Sequence, residues 1–191
     1  MQQPTIQNVR IRSTRDAHQI FLGVARNVLP LITRRLDSEE RRAIIPGNVY
    51  VWEERGSNNN SGDTTSLGME RWTDGMGWGP SRVRDEFLFY HQKEVEISEN
   101  PANSSTPWAQ MMSMYPSPSP RSRCMSDSER LIKQTYSVYV SPPPDQAQET
   151  SRKWHITAYF STEKLDMLRT IDEIHGIGDV SVPDDLFISG R

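Results

Sequence analysis

Between Glu70 and Lys93 the chain reads ERWTDGMGWGPSRVRDEFLFYHQK, and no other stretch limits the available folds as tightly. Two of the five tryptophans, Trp72 and Trp78, stand six residues apart here. Asp74-Gly75 between them is a turn signal, with Thr73 placed to bond the turn's backbone. Gly75, Gly77 and Gly79 alternate, which opens positive φ to the chain. Pro80 stiffens the exit, Ser81-Arg82-Val83-Arg84 follows, and Phe87-Leu88-Phe89-Tyr90 reads as a largely buried strand. A chain built this way has a loop with aromatic anchors at its base and arginines on display. Such a loop suits contact with an anion and is poor at building a hydrolytic site.

Upstream, Ile6, Val9 and Ile11 among polar residues predict an extended arm. Ser13 or Thr14 caps a helix, with Asp16 favoured in its first turn by the helix dipole. Ala17, Ile20, Phe21, Val24 and Val28 form an apolar stripe at helical spacing that Pro30 ends. Asp37 or Ser38 caps a second short helix, and Arg34, Arg35, Arg41 and Arg42 flank that junction. They either pair with Asp37, Glu39 and Glu40 or offer themselves to phosphate. Pro46-Gly47 turns the chain into a strand over Asn48–Glu54, and residues 56–66, GSNNNSGDTTS, read as a polar loop insertion.

After Lys93 the composition changes to Ser- and Pro-rich sequence without a period, read as a flexible connector over 95–129. One less polar island, from Trp108 to Tyr115, either docks as a short helix, recruits a protein partner or clusters only transiently. Ile132 to Val140 alternates in strand fashion, and Trp154 to Phe160 is its expected hairpin partner. Ser161 or Thr162 then caps a helix carrying Leu165, Leu168, Ile171 and Ile174, which Gly176 terminates.

Only 35% of residues are hydrophobic, so part of the length lies outside any core. No apolar run approaches a membrane span, and the start MQQPTIQNVR lacks a signal-peptide pattern. The single cysteine, Cys124, fits a reducing compartment. His18, His91, His155 and His175 are scattered without metal-ligand spacing, the glycines lack the context of a phosphate-binding loop, and Ser81 is in no nucleophile elbow. Neither an enzyme nor a bound cofactor or metal is expected. The net charge of -3 divides unevenly: residues 1–93 hold 13 basic and 11 acidic side chains, residues 94–191 hold 9 and 14. All the basic residues of the first part are arginine except Lys93. Arginine grips phosphate with two prongs, which makes the first part the candidate anion-binding side.

Arg71-Trp72-Thr73-Asp74-Gly75, then Trp78, Pro80-Ser81-Arg82, Phe87-Leu88 and Tyr90, resembles the signature of the WOPR-box family of fungal transcription regulators. Thr14, Asp16-Ala17, Arg34-Arg35-Leu36, Glu40-Arg41 and Gly47 to Val51 extend the resemblance upstream. Leu131–Tyr136 and Trp154–Phe160 extend it downstream. It implies an α+β fold, with one antiparallel sheet shared by two interlocked halves (5–94 and 130–188) and helices on its surface. It also implies a nuclear, sequence-specific regulator that binds double-stranded, A/T-rich DNA. Arg71 would enter the minor groove, where a narrow A/T tract focuses negative potential. Trp72 and Thr73 complete the loop, and Arg34, Arg35, Arg41, Arg82, Arg84 and Lys133 are candidate phosphate contacts. Glu70 stands where the family usually carries lysine, and Gly79 where it carries serine. Those two departures keep a second reading open: a WOPR-like module that binds a protein partner through the island or the acidic second half.

Overall fold

The computed structural model describes residues 1–55, 68–94, 125–141 and 152–190. The polar insertion at 56–66, the Trp108–Tyr115 island and most of the connector lie outside the described residues. Six strands form one antiparallel sheet: β1 (Val49–Glu53), β2 (Arg82–Arg84), β3 (Phe87–His91), β4 (Ile132–Val140), β5 (Arg152–Phe160) and β6 (Phe187–Ser189). Their order is β1-β5-β4-β3-β2, with β6 beside the far end of β4. The β4–β5 pair from the second half therefore lies between β1 and β3 from the first. Neither half can close its sheet alone, and this is the interlocking that the resemblance implied.

Register sets the two faces. Val49 and Val51 of β1 point to one side and Tyr50 and Trp52 to the other, and all four are buried. Pairing carries this division across β5 and β4, because cross-strand partners share a face. On the first face Ile156, Ala158, Tyr136 and Val138 meet helix α1 (Thr14–Ala25) through Ala17, Ile20, Phe21 and Val24. On the second face Tyr50, Trp52 and Tyr159 meet Ile32, Leu36, Ile44 and Met69, with Trp72, Met76 and Trp78 packed against them.

Ser13 caps α1, accepting from the Asp16 amide. The buried Asp16 carboxylate accepts from the Arg12 amide and guanidinium. The helix stops at Ala25, short of Pro30, because Asn27 adopts φ 56° and the Val28 and Leu29 amides turn back onto the Gly23 carbonyl. Val28, expected on the core stripe, is consequently 56% exposed. The short α2 (Ser38–Arg42) starts with a reciprocal box in which Asp37 accepts from the Glu40 amide and Glu40 from the Asp37 amide.

The helix expected after Ser161 does not form. Two 3-10 turns, Leu165–Met167 and Ile171–Glu173, take its place, with Leu168 extended between them. The cause is pairing with the N-terminal arm: Arg169 donates to the Asn8 carbonyl and accepts from the Arg10 amide. That contact needs an extended backbone at 168–170, and no helix can run through it. Leu168 and Ile171 remain buried all the same.

Candidate functional site

The stretch from Met69 to Gly79 crosses the second face of the sheet from one side to the other. At its start Met69 pairs with Glu54 just beyond β1, and at its end Trp78 pairs with Gln92 just beyond β3. Between these points it passes over β5 and β4, the two strands of the other half. Asp74 sits at the middle of the crossing and is 7% exposed. Its carboxylate accepts from the Tyr159 hydroxyl at 2.7 Å, from Lys133 Nζ at 3.1 Å and from Trp78 Nε1 at 3.0 Å. The Met76 amide donates to the same group at 3.2 Å, so Asp74 closes the turn in the role expected of Thr73. Burial alone would raise the Asp74 carboxyl, but the Trp78 and Tyr159 bonds and the Lys133 charge outweigh it, holding the group below its ordinary value. The Tyr159 hydroxyl is pushed far up, first by burial and then by the adjacent Asp74 charge.

The two indoles complete the brace. Trp72 Nε1 donates to Tyr159 Oη at 2.7 Å, and its ring lies 5.1 Å from Tyr50 and 6.2 Å from Trp52. Lys133 lies over the Trp78 ring at 4.4 Å and over Tyr90 at 5.1 Å. Its side chain, expected to contact phosphate, is only 14% exposed, and its ammonium faces Asp74. Of the three alternating glycines only Gly75 takes a positive φ, at 75°. Arg71 projects from this anchored loop, exposed and without an ion pair among the described residues.

The remaining candidate residues fall into distinct places. Arg34 clasps the buried Glu40 with two bonds of 2.9 and 2.7 Å, as the ion-pair alternative for that junction allowed. The Arg34 fork, with the Asp37 and Gln2 amides, pulls the Glu40 carboxyl down to about 2. Arg35 is exposed. Arg41 lies against the loop, its Cδ 3.6 Å from where a side chain at Gly75 would begin. Arg82 and Arg84 are exposed on β2, but their partners Phe89 and Phe87 point to the α1 side of the sheet. By register they belong to the opposite face from Asp74, although β2 is the edge strand and both remain open to solvent. The structure therefore gathers Arg71, Trp72, Thr73, Arg41 and Lys133 around one loop and leaves Arg34, Arg82 and Arg84 outside that group. Sequence reasoning missed Tyr159 and the hub role of Asp74.

A second polar chain on the same face is structural. Ser137 Oγ lies 2.6 Å from His155 Nδ1, and His155 Nε2 lies 2.7 Å from Glu54. Trp52 stacks on the imidazole at 4.2 Å, and burial holds His155 below its ordinary value despite Glu54. The order imitates a hydrolytic triad, but Ser137 lies mid-strand, paired to β5 and accepting from the Gly190 amide.

The sequence pattern of the Gti1/Pac2 family matches residues 8–128, well over half of the chain. The chain belongs to the Gti1/Pac2 family. Among similar proteins, the cAMP-independent regulatory protein pac2 of Schizosaccharomyces pombe is 39% identical over 84 residues, 44% of this chain and 32% of that protein. Global transcription regulator FGP1 of Gibberella zeae is 40% identical over 89 residues, 46% of this chain and 23% of that protein. White-opaque regulator 1 of Candida albicans is 37% identical over 84 residues, 44% of this chain and 9% of that protein. The matched segment thus spans a third or less of each of these relatives. In three dimensions the chain follows the WOPR domain of Wor1 from Candida albicans, solved with a 13-bp double-stranded DNA, at a TM-score of 0.64 and 23% identity. That match covers 96% of this chain and 94% of the other and establishes the WOPR fold, with its shared antiparallel sheet.

Proposed function

We propose that this domain is the DNA-binding part of a transcription regulator acting in the nucleus, and that it reads an A/T-rich site by placing Arg71 in the minor groove. One observation carries the reading: an exposed guanidinium, without an ion pair among the described residues, stands on a loop that a buried carboxylate, two indoles, a tyrosine and a lysine hold rigid. A side chain presented from a fixed base loses little freedom on binding. A narrow A/T groove rewards an inserted guanidinium, which dehydrates at lower cost than an ammonium. Arg35, Arg41, Arg82 and Arg84 supply charge that positions the domain on phosphate without reading sequence. Lys133 acts from beneath the loop through Asp74. The solved complex of the Wor1 domain with double-stranded DNA supports the ligand class.

The test is titration of A/T-rich and G/C-rich duplexes at several salt concentrations. Binding near the micromolar range or tighter is expected, with a steep salt slope and preference for the A/T-rich duplex. Absent or salt-insensitive binding overturns the reading in favour of a protein-interaction module. Glu70, exposed and adjacent to Arg71, gives a gain-of-function check. Glu70→Lys removes a repulsion and adds a phosphate contact, so affinity should rise by about 1 kcal/mol and the salt slope steepen by roughly one unit. Unchanged affinity would mean that residue 70 does not face the DNA backbone.

A further inference from the structure

We infer that Lys93 and Arg41 grip the two phosphate strands on either side of the groove that Arg71 enters, one cation on each flank of the loop. The inference rests on the minor-groove reading above and adds Lys93, a residue outside the family motif, to the interface.

Topology places the two cations. Arg41 lies in the last turn of α2, in the segment that leads into β1, and stands beside Gly75. Lys93 continues β3, and its amide donates to the Gly77 carbonyl at 2.9 Å. A side chain at Gly77 would begin 3.8 Å from Lys93 Cβ. The loop thus has a neighbour from the β1 side at one glycine and a neighbour from the β3 side two residues later. Between β1 and β3 lie β5 and β4. A minor groove is only about 6 Å wide, so with Arg71 inserted both bordering phosphate strands pass over the surface beside the loop, within reach of the two stems. Gly75 and Gly77 keep the surface low where each cation passes. Lys93 is exposed, Arg41 is partly so, and neither makes an ion pair among the described residues. Long cationic stems of this kind reach a phosphate without rearranging the loop. Because each flank meets a different strand, the two contacts are separable by chemistry on the DNA.

Lys93→Gln and Arg41→Gln keep most of each stem and remove the charge. On the A/T-rich duplex each is expected to weaken binding about 3- to 10-fold at moderate salt and to lower the salt slope by about one unit, the double variant by about two. Duplexes carrying neutral methylphosphonates on one strand only then assign the flanks. Neutralising one strand should weaken wild type and Arg41→Gln more than Lys93→Gln, which has already lost its contact there, and neutralising the other should do the reverse. Near-ultraviolet circular dichroism should be unchanged in both variants. The assignment is overturned if either variant keeps the wild-type salt slope, or if both lose sensitivity to the same strand. Should wild type show no A/T-rich binding, the minor-groove reading itself fails and this assignment falls with it. Should wild type bind and depend on Arg71 while Lys93→Gln behaves as wild type, only the flank assignment fails.

Discussion

Asp74→Ala is expected to destabilise the domain by about 3–5 kcal/mol, the cost of stripping one partner from a buried ion pair. The substitution removes the acceptor shared by Tyr159, Trp78 and Lys133 and leaves the lysine ammonium facing two aromatic rings without a counter-charge. Urea denaturation of both proteins gives the measurement, with the m-value checking that the unfolding unit is unchanged. Lys133→Met keeps the stem on Trp78 and should restore part of the loss when combined with Asp74→Ala, because no orphaned charge remains. A change within about 1 kcal/mol for Asp74→Ala would show that the loop is held by its indoles alone. The pH dependence has a definite sign. A carboxyl depressed in the folded state contributes stability above its unfolded value, near pH 4, and loses it as pH falls through the folded value. Wild type should therefore lose stability more steeply below about pH 4 than Asp74→Ala. Glu40, unaltered in both proteins, adds the same acid slope to each and cancels in the comparison.

Much of the scaffold was legible because period-two alternation survives in the chain. Gln134, Tyr136 and Val138 alternate with Lys133, Thr135 and Ser137, and the sheet separates them in that way. The β4–β5 pairing was also readable, since both strands are long and nine residues match. The hub was not, because its members come from distant segments: Tyr159 and Lys133 lie 85 and 59 residues from Asp74. Within its own stretch Asp74 looks like an ordinary turn residue. The face taken by Arg82 and Arg84 was hidden for a different reason. It depends on the two-residue turn at Asp85 and Glu86, both left-handed at φ 49° and 69°, where neither residue is the glycine or asparagine that usually announces such a hairpin. The failed helix after Ser161 had the right apolar spacing, but pairing to Asn8 and Arg10 captured its middle. Local pattern competes with long-range pairing there, and the pairing wins.

Arg71→Ala separates reading from positioning. The guanidinium stands on a loop that Trp72 and Asp74 hold independently of it, so its removal should leave stability within about 0.5 kcal/mol of wild type, as for most exposed positions. Binding to the A/T-rich duplex should fall by ~1–3 kcal/mol, while binding to a G/C-rich or random duplex falls much less, because the inserted group senses groove width. Arg41→Ala makes the contrast: phosphate presents the same charge on any sequence, so both duplexes should weaken alike. Arg34→Ala serves as a third arm. Its guanidinium already holds the buried Glu40, so the first effect should be a loss of stability with little change in sequence preference. All variants need measurement against both duplexes at one salt concentration, since counterion release changes every affinity with ionic strength. If Arg71→Ala lowers both affinities equally, the loop contacts backbone and sequence is read elsewhere. If it lowers neither, the exposed arginine lies outside the interface, and a protein partner becomes the better-supported ligand for this face.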